Sequence, residues 1–423
     1  MTTNHTTSRL FEPLVLPNGQ TVPNRIAKAA MEENMASPTH LPSDAMFTLY
    51  DEWAKGGAGM LLTGNVMVAA DAITGPGGVI LDNKQPLAPF EQWARRGKSG
   101  GGVIWMQINH PGRQVFAATN EEAIAPSAIG VDMGDMSKLF TKPRAMTDTD
   151  IARVIEQFAQ TSLLAEQAGF DGVQIHAAHG YLLSQFLSPL TNRRSDKWGG
   201  KIENRSRILI EIVKAVRAKV SPEFGVGVKL NSADFQKGGF EAKGAIAVVR
   251  MLNDLPVDLV EISGGSYESP AMHGKPQKES TRKREAYFID FARDIQAEAK
   301  MPIMVTGGIR RREVAEDALA SKGGRGGVAM VGIAQALAFH PDLVNLWKRS
   351  EHVVTLPDIN FKKQGIASAA RMSVAKYQLR RVGKGRPPKK SVWPVWALIT
   401  QQLLTKRRNR QYREWLDNRQ RAA

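Results

Sequence analysis

The sequence predicts an α/β fold: a closed (β/α)8 barrel preceded by a β-hairpin and followed by a basic, helical C-terminal extension. Three observations carry that expectation. Short β-rich runs alternate with helical patterns eight times in succession, which favours a parallel barrel over an open sheet. An open doubly wound sheet would be expected to carry a G-x-G-x-x-G turn after its first strand; the chain reads EENMASPTH after Met31 and lacks that turn. Polar residues also gather at the carboxyl ends of the strand runs, where parallel α/β proteins bind ligands.

Taken in order, LVLPNGQTVPN, with Asn18-Gly19 between apolar runs, reads as a hairpin closing the bottom of the barrel. Strands are expected at Ile26–Met31, Met60–Asn65, Val103–Asn109, Gly172–His176, Val226–Leu230, Leu259–Ser263, Ile303–Thr306 and Val328–Val331. Helices are expected between them at Ser43–Lys55, Pro89–Gly97, Asp148–Gln167, Arg205–Lys219, Ala242–Asn253, Phe288–Ala299, Arg312–Ala320 and Pro341–Trp347. The fourth helix shows its spacing well, with Leu209, Ile212, Val213 and Val216 on one face. Thr147, followed three residues later by Asp150, resembles a capping box opening the third. The segments Gly112–Arg144 and Gly265–Arg284 are too polar for a core and are expected to form lids over the top. This divides the chain into a barrel, 1–350, and an extension, 351–423.

Composition narrows the function. With 423 residues, 42% of them hydrophobic, the chain can bury a large core. It has no cysteine, which excludes disulfides, Cys-ligated zinc and thiolate-held iron–sulfur clusters. The N-terminal MTTNHTTSRLFEPL lacks the order of a signal peptide, and no run of about 18 apolar residues is present to span a bilayer. A cytoplasmic location is therefore expected. The net charge of +16 is unevenly placed: from Lys376 to Ala423 fourteen Lys/Arg stand against Glu414 and Asp417, so +12 belongs to the tail.

The stretch Val173–Arg207 is the expected chemical centre. An apolar run delivers His176, His179 and Tyr181 within six positions, and two imidazoles and a phenol each need a polar partner when buried. The other strands end in Ala30-Met31-Glu32, in Gly64-Asn65, in Gln107 with His110 and Arg113, in Lys229, in Ser263-Gly264-Gly265, in Thr306-Gly307-Gly308 and in Gly332 with Ala334-Gln335. Glycines after the last two strands let backbone N–H groups approach a phosphate. An amide, a cation and two imidazoles on the opposite strands suit a flat, polar heteroaromatic ring. A His-x-x-His pair can also bind metal, but no carboxylate cluster completes such a site, and none is expected.

These residues resemble the Old Yellow Enzyme family of FMN-dependent NAD(P)H oxidoreductases over residues 8–345. The resemblance lies in NRIAKAAM, QINHPGRQ, HAAHGYLLSQFLSPLTNRRSDKWGG with ENRSR, and VTGGI. It implies that Ala29, Ala30, Met31 and Glu32 lie beside the isoalloxazine, that Gly64 touches it, and that Gln107 bonds its pyrimidine edge. Lys229 would sit near N1 and the C2 oxygen, where a cation stabilises the anionic reduced flavin. Gly307, Gly308, Ala334 and Gln335 would hold the phosphate. His176 and His179 would grip the carbonyl oxygen of an activated alkene whose β-carbon accepts hydride from the reduced flavin, and Tyr181 would protonate the α-carbon. NADH or NADPH would reduce the flavin first, giving ping-pong kinetics. Oxidation or demethylation of an amine on the same flavin is the alternative reaction.

The chain also departs from the family pattern. Ala30 stands where Pro is frequent, Glu32 where Thr or Cys is frequent, Lys229 where Arg is common and Gln335 where Arg often binds phosphate. A carboxylate at Glu32 aimed at the ring would disfavour the reduced anion; turned away and paired with a basic group, it would have little effect. In the tail, RRVGKGRPPKK is a basic linker, and VWPVWALITQQLL places Trp396, Ile399 and Leu403 on one helical face. That helix is expected to dock on the barrel or on a second subunit of a homo-oligomer. The alternative is peripheral contact of Lys376–Ala423 with an anionic inner membrane face. Specific nucleic-acid binding is not expected, since a basic run alone gives only salt-sensitive, non-specific attraction.

Overall fold

The computed structural model describes residues 8–265, 268, 289–351, 356, 357, 359, 361 and 364–422. Eight parallel strands close into a barrel: β1 (Ile26–Lys28), β2 (Met60–Leu62), β3 (Val103–Asn109), β4 (Gly172–Ala177), β5 (Gly225–Asn231), β6 (Leu259–Ser263), β7 (Ile303–Thr306) and β8 (Met330–Ile333). Each pairs with its sequence neighbours, and β8 returns to β1 with Val331 opposite Ile26. Helices α1 (Asp44–Lys55), α2 (Ala88–Gly97), α3 (Asp148–Gln167), α4 (Arg207–Arg217), α5 (Ala242–Leu252), α6 (289–298), α7 (Arg312–Leu319) and α8 (Leu343–Lys348) follow the strands in turn. The predicted helix at Arg205–Lys219 breaks at Ser206 into Ile202–Arg205 and α4, whose Ile208, Leu209, Ile212, Val213 and Val216 are buried. The capping box of α3 forms in both directions, the Asp150 N–H donating to Thr147 Oγ1 and the Thr147 N–H to Asp150 Oδ2. Sequence reading missed the pair Val66–Met67 and Val79–Ile80, which extends the sheet beside the upper end of β3.

Alternation along the strands sends every second side chain into the barrel, where they stack in layers. The lowest layer is apolar, with Ala27, Met60, Trp105, Leu259, Met304 and Met330 packed on Leu14, Leu16 and Val22 of the N-terminal hairpin (Leu14–Val15 with Thr21–Val22). The hairpin thus closes the floor, as its position in the sequence suggests. Trp105 fills the middle of that floor. A methyl group at Gly172, Gly225 or Gly227 would lie within 2.8 Å of its indole, so three glycines on β4 and β5 make its room. Its Nε1–H donates to Gln20 Oε1 of the hairpin, so the indole's own buried donor is paired.

Gly112–Arg144 is a built lid: Ala123–Ala125 pairs with Pro143–Ala145, and Phe116 stacks on Phe140 with centroids 4.7 Å apart. Of the Gly265–Arg284 lid, only Gly265 and Glu268 are among the described residues. Glu268 accepts from Arg113 at 2.7 Å and from the Asp132 N–H at 2.6 Å, so the two lid segments are clasped there. The extension forms helices α9 (Gln364–Val382) and α10 (Pro394–Arg421), packed on each other and back onto the barrel. Among the described residues, no helix is long and apolar enough to cross a membrane.

Candidate active site

The layer above the floor is polar and continuous. Gln107 Nε2 donates to Gln174 Oε1, Gln174 Nε2 donates to Glu261 Oε2, and Lys229 Nζ donates to Glu261 Oε1, each at 2.7 Å. All four side chains are buried. A buried ion pair is retained at low cost only when its hydrogen-bonding capacity is met; here Gln174 bonds the second carboxylate oxygen of Glu261, and Gln107 in turn holds Gln174. Gln107 and Lys229, the two candidates for the ring's polar edge, are therefore joined by one wire across β3, β4, β6 and β5. Sequence reading missed Gln174 and Glu261, although a charge inside the apolar run LVEIS is itself a signal of a paired interior group.

His176 stands one layer higher, opposite Lys229 in the β4–β5 register. Its Nδ1 accepts the Ala178 N–H at 3.2 Å, which leaves the ring proton on Nε2. Burial first, and then the positive charge of Lys229, push its pKa well below the ordinary histidine value, so the ring is neutral. The strand then turns sharply through two left-handed residues, His179 at φ +61° and Gly180 at φ +76°. The His179 N–H donates to Asn231 Oδ1, and its Nε2 lies 2.9 Å from Ser263 Oγ. The result is a cluster in which the His176 ring centroid is 5.1 Å from that of His179 and 5.0 Å from that of Tyr181. Much of the long run after Tyr181 is scaffolding. Gln185 donates to the carbonyls of Pro111 and Gly180 and accepts from the Arg113 N–H, binding the β3 and β4 loops together. Next to it Gly112, at φ +61°, leaves no space for a side chain.

After β1 the neighbouring acidic residues Glu33 and Glu32 turn to different partners. Glu33 is buried and accepts from Tyr50 Oη at 2.5 Å, with Lys28 Nζ 3.6 Å away. Burial, only partly offset by Glu33, lowers the Lys28 pKa to about 8, and its ammonium lies 4.4 Å from the Trp53 ring. The Gly64 N–H points into this knot, 3.0 Å from Tyr50 Oη, and a methyl group at Gly64 would come within 2.0 Å of Glu33 Oε2. Glu32 is turned elsewhere: it accepts from Thr74 Oγ1 at 2.5 Å and pairs with Lys376 at 3.3 Å. Burial works against its ionisation, but Lys376 and the hydrogen bonds outweigh it and lower its pKa. His110 is structural, a buried ring accepting from the Gly112 N–H, with burial lowering its pKa to about 4. Among the described residues no group of three or more His, Asp or Glu stands in metal-binding proximity.

The fit of a flavin phosphate can be tested on β7 and β8. Thr306 Oγ1 is buried and has no partner, and it lies where a Cβ on the facing Gly332 would come within 2.0 Å. Just above stand Gly307, Gly308 at φ +73° and Ala334, which precedes the short helix Gln335–Phe339. An unpaired hydroxyl below a side-chain-free ledge of backbone suits an oxyanion. Asn109, fully buried at the top of β3 with both amide atoms unpartnered, is a second unmet group and was not singled out from sequence. These residues fit a phosphate and a flat polar ring.

Comparisons with known proteins agree with this geometry. The family model described as "NADH:flavin oxidoreductase / NADH oxidase family" matches residues 9–352. An NADH-dependent flavin oxidoreductase, iliE, of Hypocrea jecorina is 38% identical over 78% of this chain and 86% of its own length. The iliE protein of a Neonectria species is also 38% identical, but the chain spans only 46% of that protein's length. An NADPH dehydrogenase of Clostridium acetobutylicum is 29% identical over 74% of this chain and 88% of its own. Among solved structures, 2-naphthoyl-CoA reductase superposes with a TM-score of 0.71 at 25% identity, covering 81% of this chain and 52% of that one. Morphinone reductase superposes at 0.69 and 23% identity, over 82% and 92%, a likeness of fold alone. The chain therefore belongs to the NADH:flavin oxidoreductase / NADH oxidase family, as an Old Yellow Enzyme-type oxidoreductase with FMN as cofactor and NADH or NADPH as reductant.

Proposed function

We propose that this protein reduces the C=C bond of an alkene conjugated to a carbonyl or similar group, in two half-reactions that share one site. The observation that carries the reading is the neutral His176 imidazole, its Nε2 proton assigned by the Ala178 N–H, clustered with His179 and Tyr181 at the barrel mouth. Bound FMN would supply the hydride, drawn in turn from NAD(P)H. His176 Nε2–H and His179 bind the substrate's carbonyl oxygen; in this reading Ser263 Oγ donates to His179 Nε2, leaving the ring proton on Nδ1. Two donors on that oxygen withdraw electron density from the β-carbon, and the neutral His176 does so without giving up a proton. Tyr181 Oη then gives its proton to the α-carbon. Gln107 and Lys229 are the residues to hold the ring's pyrimidine edge. Ala29, Ala30, Met31 and Gly64 would pack beside the ring, and Gly307, Gly308, Ala334 and Gln335 would hold the phosphate. The test is direct: the purified protein is expected to be yellow, to bleach anaerobically with NAD(P)H, and to be reoxidised by an enone. A crystal soaked with a phenol should show the phenol oxygen between the two imidazoles. Turnover of an N-methyl amine with no turnover of enones would overturn the assignment.

The first half of α10 supports a second proposal, on location. Trp393, Trp396, Ile399 and Leu403 are exposed at helical spacing beside a basic linker. A second copy would bring two strongly basic tails together, so an anionic lipid surface at the inner membrane face suits this stripe better. Co-sedimentation with anionic but not neutral vesicles, abolished by Trp393→Ser with Leu403→Ser, is the expected result. Equal recovery with and without vesicles, or dimerisation in light scattering, would count against it.

A further inference from the structure

The extension reaches into the site. Helix α9 packs against α1 and against Gln335–Phe339, and its Lys376 reaches Glu32, so one element touches both ends of the proposed cradle. From α9, Lys376 pairs with Glu32 Oε2 at 3.3 Å and donates to Asn34 Oδ1. Helix α10 fixes the same loops from beyond: Arg408 donates to the Asn34 carbonyl, and Tyr412 Oη donates to the Ala70 carbonyl while accepting from Asn120 Nδ2, both at 2.9 Å. Arg419 holds both oxygens of Asp82 at 2.6 Å, and the His40 ring lies 5.1 Å from Tyr412 and 4.8 Å from Trp415. Because α9 and α10 pack on each other, these contacts also hold the helix that carries Lys376.

We propose that Lys376 is a positioning residue for the flavin: it cancels the charge of Glu32 and so sets how readily the cofactor is reduced. This rests on the flavin reading above. Glu32 closes the segment Ala29–Glu32 proposed to lie beside the ring. A bare carboxylate there would repel the anionic reduced cofactor through a partly desolvated gap, where charges are weakly screened. Paired with Lys376 and bonded by Thr74, the group presents no net charge to the ring. The extension thereby supplies a counter-charge to a site whose other proposed contacts all come from the barrel.

The test compares Lys376→Met, Glu32→Gln and the double variant in the full chain loaded with FMN. The readouts are the two-electron midpoint potential, by equilibration with reference dyes, and the melting temperature. Lys376→Met is expected to lower the equilibrium constant for reduction about tenfold, or ~30 mV for a two-electron couple. Glu32→Gln, which leaves the cation uncompensated, is expected to raise it, and the double variant to return close to the parent. A flavin-loaded Lys376→Met with an unmoved potential, or a Glu32→Gln that fails to shift it upward, overturns the proposal. Should Lys376→Met fold poorly, the Glu32→Gln shift decides alone. A parent protein that binds no flavin would overturn the functional reading itself, a different outcome.

Discussion

His176 on β4 and Lys229 on β5 are register partners, and the cation of one helps to keep the imidazole of the other neutral. Because burial and Lys229 both lower the His176 pKa, the ring gains its proton only well below pH 6.5. Single-turnover reduction of an enone is therefore expected to show no break from this group between pH 6 and 8. Lys229→Met should move any acid limb of that profile to higher pH. A limb that stays in place would show that Lys229 does not act on His176.

Tyr181→Phe removes one oxygen and little volume. Enone reduction is expected to fall by about 10²-fold or more, the usual contribution of a placed general acid, while reduction of the flavin by NAD(P)H continues at its former rate. Stopped-flow absorbance separates the two half-reactions, and equal slowing of both would exclude the proton-donor role.

Lys229 and Glu261 form a buried pair, so removing either alone leaves a buried charge. Lys229→Met is expected to destabilise the protein by about 3–5 kcal/mol, with Lys229→Met/Glu261→Gln recovering part of it. Urea unfolding of the four proteins of this cycle measures the coupling. Additive losses would mean the two side chains do not meet in solution.

His40 and His110 are both held neutral by burial, with folded-state values of about 4. An unfolded chain protonates them near 6.5, so it binds more protons than the folded chain between those values. Their contribution to stability is intact above pH 6.5 and is lost as pH falls toward 4, up to about 3 kcal/mol for each ring. The melting temperature is expected to drop from pH 7 to pH 5, and less steeply in His110→Gln. A parallel slope in that variant would place the acid sensitivity elsewhere.

The parts of the fold that were legible are those with period and place. Eight apolar runs marked the barrel, and Thr147 with Asp150 marked the start of α3. Ile26–Met31 and Met60–Asn65 proved shorter as strands because their last residues leave the ladder, Gly64 to donate to Tyr50 Oη. The His176, His179 and Tyr181 cluster was legible because it is local, all three side chains issuing from a single turn. What was illegible is what lies between distant segments. Glu261 reads as an anomaly in a strand until Lys229 and Gln174 are seen beside it, and Lys376 reads as one more charge in a basic tail. The face of α10 marked by Trp396, Ile399 and Leu403 proved exposed, and the docking side lies further along at Tyr412, Trp415 and Leu416.

Glu32 and Lys376 are 344 positions apart, yet they complete each other's charge. Chimeras among relatives are consequently constrained. Grafting this barrel onto a foreign tail would strand a carboxylate, and moving the tail alone would export a lysine with no acid to meet. The two halves must be inherited, or engineered, as a matched set.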